Sequence, residues 1–238
     1  MTVIDAKDRF LDLSGGRLVT DEYYESEPDS SFEWPMSIVN CEQGSEEWFG
    51  ARRGVLTASN FKRIVDTKGN PSRQAQDYID ELVGEAITGE SHQRNQGDGA
   101  HYWMDRGIEL EDEARNHYMA MTDQQVDEVG FCLFQPISIG CSPDGLIGEY
   151  GGIEIKCPSA KIHNKYLREA RVPPAYYQQI MGSLLVTGRD WWDFLSYHPS
   201  YKRQLRITVE RDDDYIKKMY DLLTAAADKI ALDIQNNG

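Results

Sequence analysis

Long apolar runs are missing from the sequence, since no stretch approaches the roughly 18 consecutive apolar residues of a membrane-spanning helix. The first thirteen residues alternate charged and apolar side chains and lack the apolar run of a secretory signal. The four cysteines form no CxxC pair, and the five histidines show no HxH or HExxH spacing. These absences exclude a disulfide scaffold, disfavour a zinc site and predict a soluble cytoplasmic protein with no membrane partner.

Basic residues are also few, because 25 lysines and arginines against 40 acidic residues give a formal charge of −15. This balance argues against nucleic acid as a partner, since DNA phosphates are themselves negative. However, residues 1–50 contain twelve acidic and three basic residues, so the rest of the chain is only mildly acidic. A DNA-binding surface with a local basic lining is therefore compatible with the composition.

The organisation of the chain suits one folded domain with an appendage, given 238 residues of which 40% are hydrophobic. Residues 1–37 form an acidic arm, which is either a solvated segment or one that docks through aromatic side chains such as Trp34. Residues 38–238 have the patterning of a globular domain. We therefore expect a two-part chain, with the arm at 1–37 and the functional domain at 38–238.

Apolar spacing and turn residues predict alternating helices and strands in the second part. The predicted helices lie at 57–65, 78–87, 110–121, 173–188 and 212–234, with a break at 97–99. The predicted strands lie at 131–139, 152–157, 191–197 and 205–209. This order implies an α/β fold with a central mixed β-sheet flanked by helices.

Two acidic residues and a lysine are placed to converge at a predicted hairpin. Glu154 and Lys156 lie two residues apart in an apolar strand, so both project from one face while the alternate residues face the core. A tight turn at 150–152 can bring Asp144 beside Glu154 on a neighbouring strand. Converging carboxylates repel each other unless they share a proton or a cation, and an all-oxygen site favours Mg²⁺ or Mn²⁺. An ordinary ion pair at a strand edge is the alternative.

The arrangement of Asp144, Glu154 and Lys156 resembles the PD-(D/E)xK nuclease motif, and several segments match one branch of that superfamily. Over about residues 40–220 the chain resembles the lambda exonuclease / YqaJ-like viral recombinase family. The matching segments are GSEEW (44–48), RRGVLTAS (52–59), GIELEDEA (107–114), CSPDG (141–145), EIKCP (154–158), YYQQI (176–180) and YHP (197–199). Their order and spacing carry the resemblance, which does not extend to the acidic arm.

The resemblance implies a fold and an activity. The expected fold has a restriction-endonuclease-like core. The expected enzyme is a Mg²⁺-dependent 5′→3′ exonuclease, with Mn²⁺ as a substitute, which degrades the 5′-phosphorylated strand of linear double-stranded DNA to mononucleotides. It would leave 3′ single strands for recombination, act as a homotrimeric ring and work with a single-strand annealing protein in the host cytoplasm.

The resemblance also implies roles for individual residues. The implied metal ligands are two strand carboxylates, one carbonyl and one helix carboxylate: Asp144, Glu154, Ile155 and Glu111. Lys156 matches the residue that positions or deprotonates the attacking water, and Gln179 matches a glutamine near that water and the lysine. The residues that match an anchor for the terminal 5′-phosphate are Arg52, Ser59 and Ser142. An upstream acid that some family members carry has no equivalent in the stretch at 134–138.

Each implied role has a structural alternative. Glu111 is placed to pair with Arg115 four residues later, and Gln179 could be a surface residue of its helix. Arg52 beside Arg53 could be a solvated basic pair, Ser59 a helix cap, and Ser142 a turn residue. At the level of function, the alternatives are an endonuclease of restriction or repair type with the same core, and a non-catalytic binding module.

Overall fold

The elements of the fold are described by a computed structural model for residues 34–90 and 98–238. The strands β1 to β8 are Met36–Val39, Leu56–Thr57, Phe131–Phe134, Ile139–Cys141, Gly145–Ile147, Gly151–Lys156, Trp191–Ser196 and Leu205–Glu210. The helices α1 to α6 are Glu46–Arg52, Ala75–Thr88, Asp98–Thr122, Ala160–Glu169, Tyr177–Thr187 and Asp213–Asn237. Two 3₁₀ helices occupy Ala58–Arg63 and Pro174–Tyr176.

The strands form two four-stranded sheets. In the first, with order β1-β3-β4-β2, the β3–β4 hairpin is antiparallel, β1 pairs antiparallel with β3, and β2 pairs parallel with β4. In the second, with order β5-β6-β7-β8, the outer pairs are antiparallel and β6–β7 is parallel. A parallel pair needs a crossover connection, which α4 and α5 provide here. The sheet that contains Glu154 is therefore mixed, and the α/β class predicted from the sequence is confirmed.

Strand β6 follows the alternation expected of a strand between two layers. Ile153 and Ile155 are buried in one apolar cluster with Ala114 and Tyr118 of α3, which covers that face of the sheet. Glu154 projects from the other face, toward α5. Because the side-chain period of a strand is two, one run of apolar and charged residues places the core and the site on opposite faces.

Helix ends follow local sequence signals. The Ser45 side chain accepts from the Trp48 amide at the start of α1, and Asp212 accepts from the Tyr215 amide at the start of α6. Helices α2 and α5 end at Gly89 and Gly188, at φ values of 74° and 69° that favour glycine. These signals position the helices that flank the site.

Several boundaries differ from the sequence-based expectation, and no range was predicted for helix α4 or for strands β1, β2 and β5. The apolar run at 131–139 forms two strands, β3 and β4, because it turns back on itself around Pro136. The helix expected from Thr57 is a short 3₁₀ helix, and the Thr57 side chain accepts from the Asn60 side chain instead of capping a main-chain amide. Asp98 and Gly99, expected in a break, are the first residues of α3.

The acidic arm is described only at its end. Residues 1–33 lie outside the described residues, whereas Trp34 donates its indole N–H to the Val186 carbonyl at 3.0 Å, and its ring packs beside Gly188. This contact agrees with the alternative in which Trp34 docks on the body of the protein. No helix among the described residues is both long and apolar enough to cross a membrane.

Candidate active site

The β5–β6 hairpin brings Asp144 and Glu154 together. Asp144 directly precedes β5, in which Gly145 lies opposite Ile153 of β6. The Asp144 Oδ2 atom accepts from the Ile155 amide at 2.5 Å, so the carboxylate is held against the strand that carries Glu154. The structure thus brings these two acids together across adjoining strands, as the sequence predicts.

Glu154 is the centre of the polar contacts at the site. Its side chain is 1% exposed, and its Oε1 atom is paired with the Lys156 ammonium and accepts from Gln179 Nε2 at 2.7 Å. Its Oε2 atom is buried and has no hydrogen-bond partner among the described residues. A buried carboxylate oxygen without a donor is costly, so this atom is the one best placed to take a cation.

The charges of the site perturb one another. Burial, together with the charge of Asp144, raises the pKa of Glu154 to about 7, against the lowering effect of Lys156 and Gln179. Burial also raises the pKa of Asp144. For Lys156, burial favours the neutral amine, but Glu154 and Asp144 outweigh it and raise the pKa above its ordinary value. Lys156 is therefore an ammonium at neutral pH in this arrangement.

Glu111 and Arg115 connect α3 to the hairpin. Arg115 pairs with Glu111 at 2.8 Å, which is the ion pair that the sequence offered as an alternative to a metal role. The Nε atom of Arg115 also donates to the Asp144 carbonyl at 3.1 Å. Burial raises the pKa of Glu111 to about 7, and Asp144 adds to this shift. The ion pair thus does not remove Glu111 from the site, because Arg115 joins it to the segment that carries Asp144.

The residues present agree with a divalent cation in chemical type. Asp144, Glu154 and Glu111 offer only hard oxygen ligands, which Mg²⁺ and Mn²⁺ prefer, and Glu154 Oε2 is buried without a donor. However, within the described residues no group of three or more histidine, cysteine, aspartate or glutamate side chains is arranged to hold a metal. Two carboxylates are bonded instead to Lys156 and Arg115. The metal roles, including that of the Ile155 carbonyl, stay predictions.

The three residues matched to a phosphate anchor line one small cavity. Arg52, Ser59, Ser142 and Gln179 contribute to its wall, and its volume is about 30 Å³. Arg52 Nη1 donates to Ser142 Oγ at 3.0 Å. Arg52 is buried, so it is not the solvated basic pair with Arg53 that the sequence left open. Ser59 lies inside the 3₁₀ helix, not at its start, which excludes the simple cap.

Trp48 holds the two ends of this anchor together. Its indole N–H donates to Ser142 Oγ at 2.9 Å, and its ring lies 4.0 Å from the Arg52 guanidinium carbon. Ser142 Oγ therefore accepts two N–H bonds, which leaves its own O–H to be donated. Burial lowers the pKa of Arg52 to about 10, so the guanidinium is still a cation at neutral pH. Trp48 lies in the matched segment GSEEW, but nothing in the sequence indicates this role for it.

A larger cleft of about 1380 Å³ also reaches the site. Its lining includes Asp144 and Glu111, and Ser59 lines both this cleft and the small cavity. Gln43, at the rim, donates to the Val129 and Pro143 carbonyls at 3.0 and 2.9 Å. Gln43 thereby supports the loop that ends at Asp144, and it too was missed because its partners are far away in sequence.

Comparison with protein-family models gives a match over residues 47–190 to the YqaJ-like viral recombinase domain. This range contains Arg52, the β5–β6 hairpin and Gln179. The chain belongs to the YqaJ-like viral recombinase family. A comparison with curated proteins gives no match.

Solved structures of other proteins resemble this YqaJ-like chain. The alkaline exonuclease LHK-Exo from Laribacter hongkongensis is 32% identical, with a TM-score of 0.71 over 81% of this chain and 95% of that one. Its complex with dAMP matches at 33% identity and the same TM-score. A phage-related exonuclease from Haemophilus somnus 129PT is 13% identical, with a TM-score of 0.56 over 77% of this chain and 96% of that one. The last likeness shows the fold alone.

Proposed function

We propose that this protein is a Mg²⁺-dependent 5′→3′ exonuclease that degrades the 5′-phosphorylated strand of linear double-stranded DNA to mononucleotides. The observation that carries the proposal is the convergence of Asp144, Glu154 and Lys156 where β5 begins beside β6. The family, and the name of the 32% identical alkaline exonuclease, support a DNA exonuclease. Strand polarity, cofactor and product are the finer parts of the proposal.

Hydrolysis of a phosphodiester needs a positioned water and neutralisation of the charge that develops on the phosphate. Asp144 and Glu154, with Glu111 and the Ile155 carbonyl, would hold Mg²⁺ or Mn²⁺, which supplies that neutralisation when bound. The Lys156 ammonium donates hydrogen bonds, so it orients the attacking water beside the phosphate. Gln179 keeps Glu154 in place through its bond to Oε1.

The small cavity explains why such an enzyme would begin at a DNA end. Arg52 can bind a terminal phosphate, the Ser142 hydroxyl can donate to it, and Ser59 lies at the same wall. Gln179 lines this cavity and also contacts Glu154, so the anchored phosphate and the cleaved bond would be neighbours. An anchor that holds the terminal phosphate one nucleotide from the catalytic residues would give mononucleotide products. The complex of the related exonuclease with dAMP supports this reading.

The wider setting follows from the family. We infer a homotrimeric ring, a cytoplasmic location in a host bacterium and a single-strand annealing protein as partner. The domain at 38–238 would carry the nuclease activity, and the acidic arm at 1–37 would contact the partner. Light scattering tests the trimer. Deleting 1–37 without any loss of partner binding would contradict the role of the arm.

The deciding experiment compares linear 5′-phosphorylated duplex with the same DNA as a covalently closed circle, in the presence of Mg²⁺. We expect mononucleotides and single strands from the linear DNA and no change in the circle. Cutting of the circle would favour the endonuclease alternative, and intact linear DNA would favour the non-catalytic module. A Lys156→Ala variant should bind the DNA and cleave it ~10²–10³-fold more slowly or not at all, whereas Lys62→Ala, at an exposed position, is the matched control.

A further inference from the structure

One surface beside the active site is basic, although the chain carries a formal charge of −15. In the fully described range 157–206, seven basic side chains are exposed and no acidic one is. Arg206 pairs with the buried Asp193 at 2.6 Å. The other six are on α4, the segment after it and the turn between β7 and β8: Lys161, Lys165, Arg168, Arg171, Lys202 and Arg203.

Three of these residues form a stripe along α4. Lys161, Lys165 and Arg168 are spaced four and three residues apart, so they lie on one face of the helix, which we name the basic stripe. His163, on the opposite face, is fully buried. Only the inward face of α4 packs on the protein. Packing therefore explains the buried His163, but it does not explain why the exposed face carries the basic stripe.

The basic stripe is only weakly neutralised. Lys165 and Arg171 both lie 3.9 Å from the carboxylate of Glu169, a distance at which an exposed pair contributes little. Within the part of the chain that the structure describes, no ion pair involves Lys161 or Arg168. The stripe therefore presents positive charge that an anionic ligand can neutralise.

The basic stripe is tied to the active site through short contacts. Helix α4 begins four residues after Lys156. His163 Nδ1 lies 2.9 Å from the Ser196 hydroxyl, and Ser196 is opposite Lys156 in the sheet. His163 Nε2 donates to the Arg203 carbonyl at 3.1 Å, so the basic β7–β8 turn packs against the same helix. A strand of DNA bound at Lys156 would thus lie beside these lysine and arginine side chains.

The lining of the large cleft carries the other sign of charge. Apart from the proposed metal ligands Asp144 and Glu111, five of the described residues that line the large cleft are acidic, and only two are basic. Those two, Arg63 and Arg115, are each bonded to acidic side chains. Away from the two proposed metal ligands, a phosphate backbone is repelled by the cleft lining and attracted to α4. The charge distribution therefore favours the basic stripe as the side from which DNA is held.

We propose that the basic stripe, with Lys202 and Arg203, binds the phosphate backbone of the DNA next to the active site. The proposal rests on the proposed nuclease function, because it identifies the surface that holds the substrate outside the catalytic residues. Lysine and arginine side chains contact phosphates without reading bases, so the binding is independent of sequence and falls with salt. Two parts of the DNA substrate carry this phosphate backbone: the duplex ahead of the cleavage point and the single strand that remains after cleavage.

The test measures binding of the full chain to a 3′-labelled, 5′-phosphorylated duplex and to the matching single strand, by fluorescence anisotropy in EDTA over a salt series. The test variant is Lys161→Gln/Lys165→Gln/Arg168→Gln. The control variant, Lys68→Gln/Arg73→Gln/Lys218→Gln, removes the same charge from exposed positions around the start of α2 and on α6. If each stripe residue contacts one phosphate, the slope of log K against log salt falls by about 0.9 per contact, and affinity falls about tenfold or more.

The outcomes separate the possibilities. A reduced slope and affinity in the test variant, with the control unchanged, supports the proposal, and the probe with the larger loss identifies duplex or single strand. Wild-type affinity and slope on both probes would overturn it. A changed mass by light scattering with unchanged DNA binding would also overturn it, since the stripe would then be a contact between copies. If the triple variant is unfolded by circular dichroism, Lys161→Gln and Arg168→Gln alone give the same readout.

Digestion of linear duplex by the same wild-type preparation distinguishes this inference from the proposed function. Loss of DNA binding in the stripe variant alongside an inactive wild-type protein would retain the binding surface and remove the nuclease. Active wild-type protein with unchanged DNA binding in the stripe variant would retain the nuclease and remove the binding surface.

Discussion

Gln179 donates its side-chain amide to Glu154 at 2.7 Å while it lines the cavity that Arg52 and Ser142 form. One side chain on α5 therefore joins the catalytic carboxylate to the proposed anchor for the DNA end. This relationship makes cleavage and end recognition neighbours in space, and it gives the anchor a consequence that kinetics can measure.

The anchor predicts a difference between two adjacent arginines. Arg52 is buried and bonded to Ser142, whereas Arg53 is exposed. Arg52→Gln should lower the rate on 5′-phosphorylated ends by ~10²-fold, toward the rate on 5′-hydroxyl ends, because the cation that binds the phosphate is lost. Arg53→Gln should keep the wild-type ratio between the two ends. Equal effects of both changes, in an assay of matched phosphorylated and unphosphorylated duplexes, would contradict the anchor.

The raised pKa values of Glu154 and Glu111 predict how stability depends on pH. Both rise from 4.5 to about 7 in the folded protein. The unfolded chain therefore releases these protons near pH 4.5, whereas the folded protein retains them until about pH 7. Since the unfolded state binds fewer protons in this window, the contribution of both groups to the free energy of unfolding falls from pH 4.5 to 7 and then levels off.

The measurement for this prediction is urea unfolding of the metal-free protein across that pH range, compared with Glu111→Gln/Glu154→Gln. The variant should lack the fall, and its advantage over wild type should grow until about pH 7. Addition of Mg²⁺ should stabilise the wild type more as the pH rises, because ligation needs the deprotonated carboxylates. Parallel pH profiles for the two proteins would show that these groups are not perturbed.

A substitution at Gly152 tests how tightly the β5–β6 hairpin is packed next to Glu154. A Cβ atom at this position would lie 2.3 Å from the ring of the fully buried Trp192. Gly152→Ala should destabilise the protein by about 1–3 kcal/mol, since strand and indole must separate, and should lower the cleavage rate. Gly50→Ala, in α1 with open space around it, should be neutral or stabilising by up to about 1 kcal/mol. Urea unfolding checks both, and equal stabilities would refute the packing argument.

Local patterns account for the parts of the site that sequence predicted. The hairpin could be found because Glu154 and Lys156 share a strand face and glycines mark the turn, so spacing alone brings Asp144 near. The continuous apolar run at 131–139 had no such marker, because both of its strands are buried and the pattern of alternation is absent. It was therefore expected as one strand.

Long-range contacts are what the sequence could not give. The bond from Arg52 to Ser142 joins residues 90 positions apart, and the one from Arg115 to the Asp144 carbonyl joins residues 29 apart. The second uses a main-chain acceptor, which every residue offers, so no residue type signals it. The resemblance identified the members of the anchor, but the role of Trp48 between them depends on packing that only the folded chain has.

The central claim is that Asp144 and Glu154 hold a divalent ion with Lys156 beside it. The most direct test is a crystal grown with Mn²⁺ and measured for anomalous scattering at the manganese edge. We expect a peak ~2.0–2.3 Å from carboxylate oxygens of both residues, with Lys156 adjacent and the peak lost in Asp144→Asn. Manganese bound elsewhere, or the three side chains directed to separate regions, would contradict it.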